Sequence, residues 1–217
     1  MAFPFPLSQT QLFALRAGVP HNGCVPNRAY FSIWLRGFTE TSMLEHFGAL
    51  LATVPFSKTR PGISSLLIRA VDSAEAPLEE HDLRAAPATV EGGITLARQH
   101  EHFDCSYEAR TSWDLWTRDD GTLRARPQAL EIICNGEEFD DGAFREAGHF
   151  QVDLGLEDWF IAQESGGDDA QKQRENARAL QAWLQQLRTV LPVERCRLWS
   201  EGEEDFEARL DEAPVKS

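Results

Sequence analysis

The run Gln99-His100-Glu101-His102-Phe103-Asp104-Cys105 concentrates more ligand-type side chains than any other part of this chain. If an extended strand begins at His100, then His100, His102 and Asp104 project from one face, because alternate side chains of a strand share a side of the sheet. Two imidazoles and a carboxylate so placed can hold Fe(II) or Zn(II) with open coordination positions. A small metal-dependent enzyme is one expectation on that condition. If the preceding helix instead continues through His102, 3.6 residues per turn send the two imidazoles apart. The run is then a polar helix-to-strand junction.

A second set is Glu137, Glu138, Asp140 and Asp141 around Phe139, between Gly136 and Gly142. Carboxylates at that density attract calcium, but their spacing does not follow the alternating ligand loop of an EF-hand. They read as a solvated loop. Residues 135–168 hold ten acidic side chains and one basic one, Arg145, so this stretch predicts a strongly negative edge that draws a basic partner.

The third set is aromatic. Trp34 and Trp116 fall on the polar sides of their segments, with Arg36, Glu108 and Arg110 on those same sides. Exposed tryptophan beside arginine is the composition of a binding hot spot; a helix or loop laid over that side would bury both rings instead. Trp113 and Trp183 fall on apolar sides and belong to the core.

Other chemistry finds little support. Cys24, Cys105, Cys134 and Cys196 are scattered and form no CxxC pair, so they read as buried thiols rather than a zinc or disulfide framework. Cys24 near His21 lacks an orienting third group for nucleophilic catalysis. Ser165-Gly166-Gly167 has the outline of a phosphate cradle, but Asp168 and Asp169 would occupy the helix start and repel an anion. GxSxG, HExxH, GxxxxGK[ST] and GxGxxG are all absent.

The elements that must position these residues follow from periodicity. Phe103 to Trp116 alternates apolar and polar residues throughout, a long half-buried strand with one packed face and one wet face. Arg118-Asp119-Asp120-Gly121 marks a hairpin turn to a returning strand over Ala129–Cys134, with Pro127 near an edge or bulge. Further strands are predicted over 30–38, 63–71, 150–154 and 193–199. Helices are predicted over 8–16, over 42–54 with Ser42 and Glu45 as a capping box, over 89–99, and over the long stripe Ala177, Leu180, Trp183, Leu184, Leu187, Leu191. Phe206 and Leu210 mark a last helical turn, and residues 75–88 read as a polar loop.

The resulting expectation is an α+β fold: a mostly antiparallel sheet of about six strands, with helices packed mainly on one face. Two β-α-β units flanking a β-hairpin resemble an elaborated ferredoxin-like layout. At 217 residues the chain is expected to be one domain, with a helix and loop over 1–28 and an acidic tail over 200–217.

A formal net charge of −14 disfavours direct binding to nucleic acid, whose phosphates it would repel. No apolar run approaches the roughly 20 residues of a membrane span, and the first residues lack the pattern of a secretory leader. A cytoplasmic location is expected. The basic residues are almost all arginine, which we read as the bias of a bacterial genome. The leading functional expectation is a non-enzymatic acidic module that binds a basic protein, in the manner of an immunity or accessory protein, and needs no cofactor. The alternatives are the metal enzyme using His100, His102 and Asp104, and an acidic mimic of nucleic acid.

Overall fold

The computed structural model describes residues 26–161, 168–202 and 205–212. The expected helix over 8–16, the Cys24 and His21 pair and the Ser165-Gly166-Gly167 loop lie outside these residues. Among the described residues the fold is α+β: one seven-stranded, wholly antiparallel sheet and five α-helices. The strands are β1 (Arg28–Leu35), β2 (Ser65–Ala70), β3 (Glu79–Asp82), β4 (Cys105–Asp119), β5 (Thr122–Asn135), β6 (Phe150–Leu156) and β7 (Val193–Ser200). The helices are α1 (Glu40–Ala52), α2 (Val90–Ala97), α3 (Phe144–Ala147), α4 (Asp168–Val190) and α5 (Phe206–Glu212).

Spatial order across the sheet is β3-β2-β4-β5-β6-β1-β7. Alternating direction along that order makes β1 parallel to β2, with three strands between them, and β6 parallel to β7, with β1 between them. Seven strands replace the six expected. The extra one is β3, Glu-Glu-His-Asp, which lies inside the segment read as loop. Its sequence carries no apolar alternation. It is held extended by its pairing with β2, from Ser65 opposite Asp82 to Ile68 opposite Glu79.

The core lies on one side of the sheet. Phe31, Ile33 and Leu35 of β1, Tyr107, Ala109 and Trp113 of β4, Leu130, Ile132 and Cys134 of β5, and Phe150, Val152 and Leu154 of β6 all face it. Met43, Leu44, Phe47, Leu50 and Leu51 of α1 and Ala177, Leu180, Trp183, Leu184 and Leu187 of α4 pack down upon them. Each of these larger side chains contributes about 1.5–3 kcal/mol by leaving water. The Trp183 indole donates to Thr53 Oγ1 at 3.0 Å, tying α4 to the end of α1.

Local signals set the element boundaries. The capping box of α1 is Thr39 with Ser42, one turn earlier than expected: Thr39 Oγ1 accepts from Ser42 N–H and Ser42 Oγ accepts from Thr39 N–H. The hairpin turn is Asp120-Gly121, both with positive φ, as a two-residue connection between twisted strands requires. Pro127 sits on β5 opposite Asp114, beyond the stretch of β5 that pairs with β6, where its missing N–H costs no ladder bond.

Candidate functional site

Among the described residues, the other side of the sheet carries none of the long helices. Two rows of side chains cross it, set by strand register. One runs Glu80, Leu67, Glu108, Ile133, Gln151, Ser32, Arg197, and the next runs Asp82, Ser65, Arg110, Glu131, Asp153, Tyr30, Trp199. With neighbouring strands about 4.8 Å apart, six intervals give a face roughly 29 Å wide.

The centre of this face is charged and only partly hydrated. Arg110 reaches Glu108 at 2.9 Å through Nη2 and Glu131 at 2.8 Å through Nε. Arg28 holds Asp153 Oδ2 from Nη2 at 2.6 Å and from Nε at 3.0 Å, while Asp153 Oδ1 accepts from Gly155 N–H. The side chains of Glu108, Glu131 and Asp153 are 12%, 16% and 14% exposed. Three carboxylates therefore share two guanidinium partners. Burial, then the charge of Glu108, push the Glu131 carboxyl up to about 7, with Arg110 opposing. Burial also raises Asp153, against the pull of Arg28.

Toward β7 the face becomes aromatic and basic. Tyr30 stacks on Trp199 at 4.5 Å between ring centroids and donates its hydroxyl to Glu201 Oε1 at 2.9 Å. Arg197 lies over Trp199, and Arg195 over Trp34 at 3.7 Å.

The connection from β5 to β6, residues 136–148, partly roofs the face. Phe139 anchors it, 2% exposed. It leaves two depressions that meet at Ile133. One, of about 540 Å³, is floored by Tyr30, Glu131, Gln151, Asp153 and Trp199 and walled by 140–147. The other, of about 760 Å³, lies over Leu67, Glu108 and Arg110 and under residues 73–77.

The two loops around these depressions touch. Asp140 N–H donates to Val71 O at 2.8 Å, and Ser73 Oγ donates to Asp140 Oδ2 at 2.7 Å. Val71, Asp140 and Asp141 all adopt left-handed backbone, with φ of 68°, 50° and 52°. That conformation is strained for a β-branched valine, and such strain concentrates at binding sites.

His149 fixes the far end of the roof. It stacks between Phe38 at 4.1 Å and Phe144 at 4.9 Å, and Nδ1 accepts from Leu35 N–H at 2.9 Å. The ring proton therefore sits on Nε2 and points at Glu137 Oε1, 3.2 Å away. Burial lowers the imidazole below its ordinary value despite Glu137.

The structure joins some of the sequence-picked residues and separates others. Glu108 and Arg110 stand on the open face, with Asp140 and Asp141 above it, so the polar strand face and the acidic loop are one surface. Glu138 and Asp141 are exposed, whereas Glu137 is engaged by His149.

Trp34 is no free anchor. It is 9% exposed, sealed by Arg195 and donating its indole N–H to Phe144 O at 2.8 Å, because the roof covers that end of β1. Arg36 is exposed at the end of β1 beside Val193 O. Trp116 lies far along the hairpin, bonded to Glu175 at 2.9 Å with Lys172 over its ring; Asn176 of α4 caps the backbone there.

The metal set does not assemble. β4 starts at Cys105, so the condition that the strand begin at His100 fails. His100 ends a 3-10 turn and pairs with Glu79, which also holds His81. His102 pairs with Asp104 at 2.7 Å and lies 3.8 Å from Glu40. Among the described residues no group of three or more His, Cys, Asp or Glu side chains is placed to hold a metal ion.

Residues that sequence reasoning passed over are Arg28, Tyr30, Glu131, Asp153 and Trp199. Their signal was present as polar positions in alternating strands, but strand order was needed to put them in one row.

The chain matches no protein-family model, no curated protein and no solved structure.

Proposed function

We propose that this chain is a non-enzymatic binding protein, of the immunity or accessory kind, whose open sheet face receives a basic segment of another protein. The observation that carries this reading is the set of three half-buried carboxylates, Glu108, Glu131 and Asp153, served by two guanidinium groups on a face that no long helix among the described residues covers. A cation from outside completes that set. The two depressions are linked and elongated across the strands, a shape suited to an extended polypeptide rather than to an enclosed small molecule. The basic rim of Arg195 and Arg197 at β7 gives the partner a direction. It repels cationic residues toward the centre of the sheet.

A cytoplasmic setting accords with Cys105, Cys134 and Cys196, which are free thiols. No helix among the described residues is long and apolar enough to cross a membrane. We further read β7-β1-β6-β5 as an elaborated ferredoxin-like core into which β2, β3, α2 and β4 are inserted. The support is the split unit β6-α4-β7, whose strands flank β1.

The test is binding of a nona-arginine peptide to the intact chain and to two neutralised variants. Glu131→Gln, Glu138→Gln and Asp141→Asn together alter the face and its roof. Glu45→Gln, Glu91→Gln and Glu207→Gln remove the same charge from the helix side. We expect saturable, salt-weakened binding, at least tenfold weaker in the first variant and within twofold of wild type in the second. Equal losses in both would reduce the effect to net charge and reject the face as the site.

A further inference from the structure

The carboxylate row has a regulatory consequence, and it rests on the function proposed above. We propose that the empty face carries a proton on Glu131, hydrogen-bonded toward Glu108, and releases it when a cationic side chain of the basic partner arrives, so that partner binding is coupled to pH. The geometry is a matter of counting neighbours. Glu131 stands on β5 between Glu108 and Arg110 of β4 and Asp153 of β6. Arg110 divides its donors between Glu108 and Glu131, and Arg28 of β1 is spent on Asp153. Tyr30, beyond Asp153 in the row, gives its hydroxyl to Glu201.

From the roof, Asp140, Asp141 and Glu146 line the same depression with Arg145, which donates to Asp141 O, and Arg197 lines it from β7. The described groups around Glu131 thus hold more negative than positive charge. A proton removes one of those negative charges while the site is empty, and an arriving guanidinium or ammonium group does the same when it is full. The two are alternatives. Proton and partner cation therefore compete, and binding the cation expels the proton to solvent.

The direction of the effect follows. Burial and Glu108 place the midpoint of Glu131 at about 7, so the empty protein is mostly protonated there at pH 6 and mostly ionised at pH 8. If binding requires the ionised form, affinity at pH 6 is about tenfold weaker than at pH 8, and the dependence flattens above pH 8. His149 does not supply this window, because its burial moves it downward.

The experiment is calorimetric titration of the full chain with the nona-arginine peptide at pH 6 and pH 8, in two buffers of different ionisation enthalpy. It is paired with a carbon-13 titration of the Glu131 carboxyl in the free protein. We expect a carboxyl midpoint near 7, release of up to one proton per peptide at pH 6, and a tenfold affinity difference that Glu131→Gln abolishes. Peptide binding with no proton release, or a pH dependence that survives in Glu131→Gln, overturns the coupling while leaving the binding face intact. A carboxyl midpoint near 4.5 overturns the coupling before any peptide is added. No peptide binding at either pH overturns both readings.

Discussion

Glu131 links the electrostatics of the face to the stability of the fold. Its folded-state value lies above the usual 4.5, so folding favours its protonated form. That contribution is fully present below pH 4.5 and is lost as pH rises through about 7. The stability of Glu131→Gln relative to wild type should therefore increase between pH 4 and pH 8, by up to about 3 kcal/mol, as read from urea unfolding at each pH. A constant difference would show that Glu131 titrates normally.

His149 behaves in the opposite sense. Its lowered value means folding favours the neutral ring, a contribution present above about 6.5 and lost in acid. His149→Ala should cost about 3 kcal/mol at pH 7.5, because it empties the slot between Phe38 and Phe144 and leaves the Leu35 amide without its acceptor. A loss below 1 kcal/mol in urea unfolding would contradict that reading of the stack. Both residues carried only a faint sequence signal. Glu131 reads as the polar member of Leu130-Glu131-Ile132, and His149 as a residue before a strand. What makes them distinctive is contact with positions more than 20 and 100 residues away.

The elements themselves were legible where periodicity was strong. β4 and the stripe of α4 are already written in their spacing; α2, expected over 89–99, spans Val90–Ala97 with Thr89 as its cap. The misses have local causes. β3 has four polar residues and depends on β2 for its extension, and α1 begins at a threonine that reciprocates with Ser42. The strained junction between 71–77 and 136–148 was invisible, because nothing in Ala70-Val71-Asp72 requires a left-handed valine.

Val71 is 62% exposed, so its side chain adds little to the core. Val71→Gly should raise stability by about 1 kcal/mol by removing the left-handed penalty, equivalent to a melting temperature about 2–4 °C higher for a chain of this size. A lower melting temperature would mean that the valine side chain stabilises the junction more than its backbone strains it.

Across the molecule, the division into a helix-covered side and an open side was readable from alternation in the strands. Which residues meet on the open side was not. Sequence left Trp34 and Trp116 as either an exposed hot spot or rings buried under a covering element; the roof buries the first, and the second lies at the hairpin against α4. Trp34→Ala should accordingly behave as a core substitution, losing about 3 kcal/mol, with peptide affinity unchanged at temperatures where it stays folded.

The central claim concerns the open face, and amide chemical-shift mapping of the intact chain titrated with the nona-arginine peptide tests it most directly. The account predicts shifts confined to 28–32, 65–69, 73–80, 106–110, 131–135, 139–147, 151–153 and 195–199, the strands and loops that line the two depressions. Shifts centred on α1, α2 and α4, or spread evenly over the acidic surface, would contradict it.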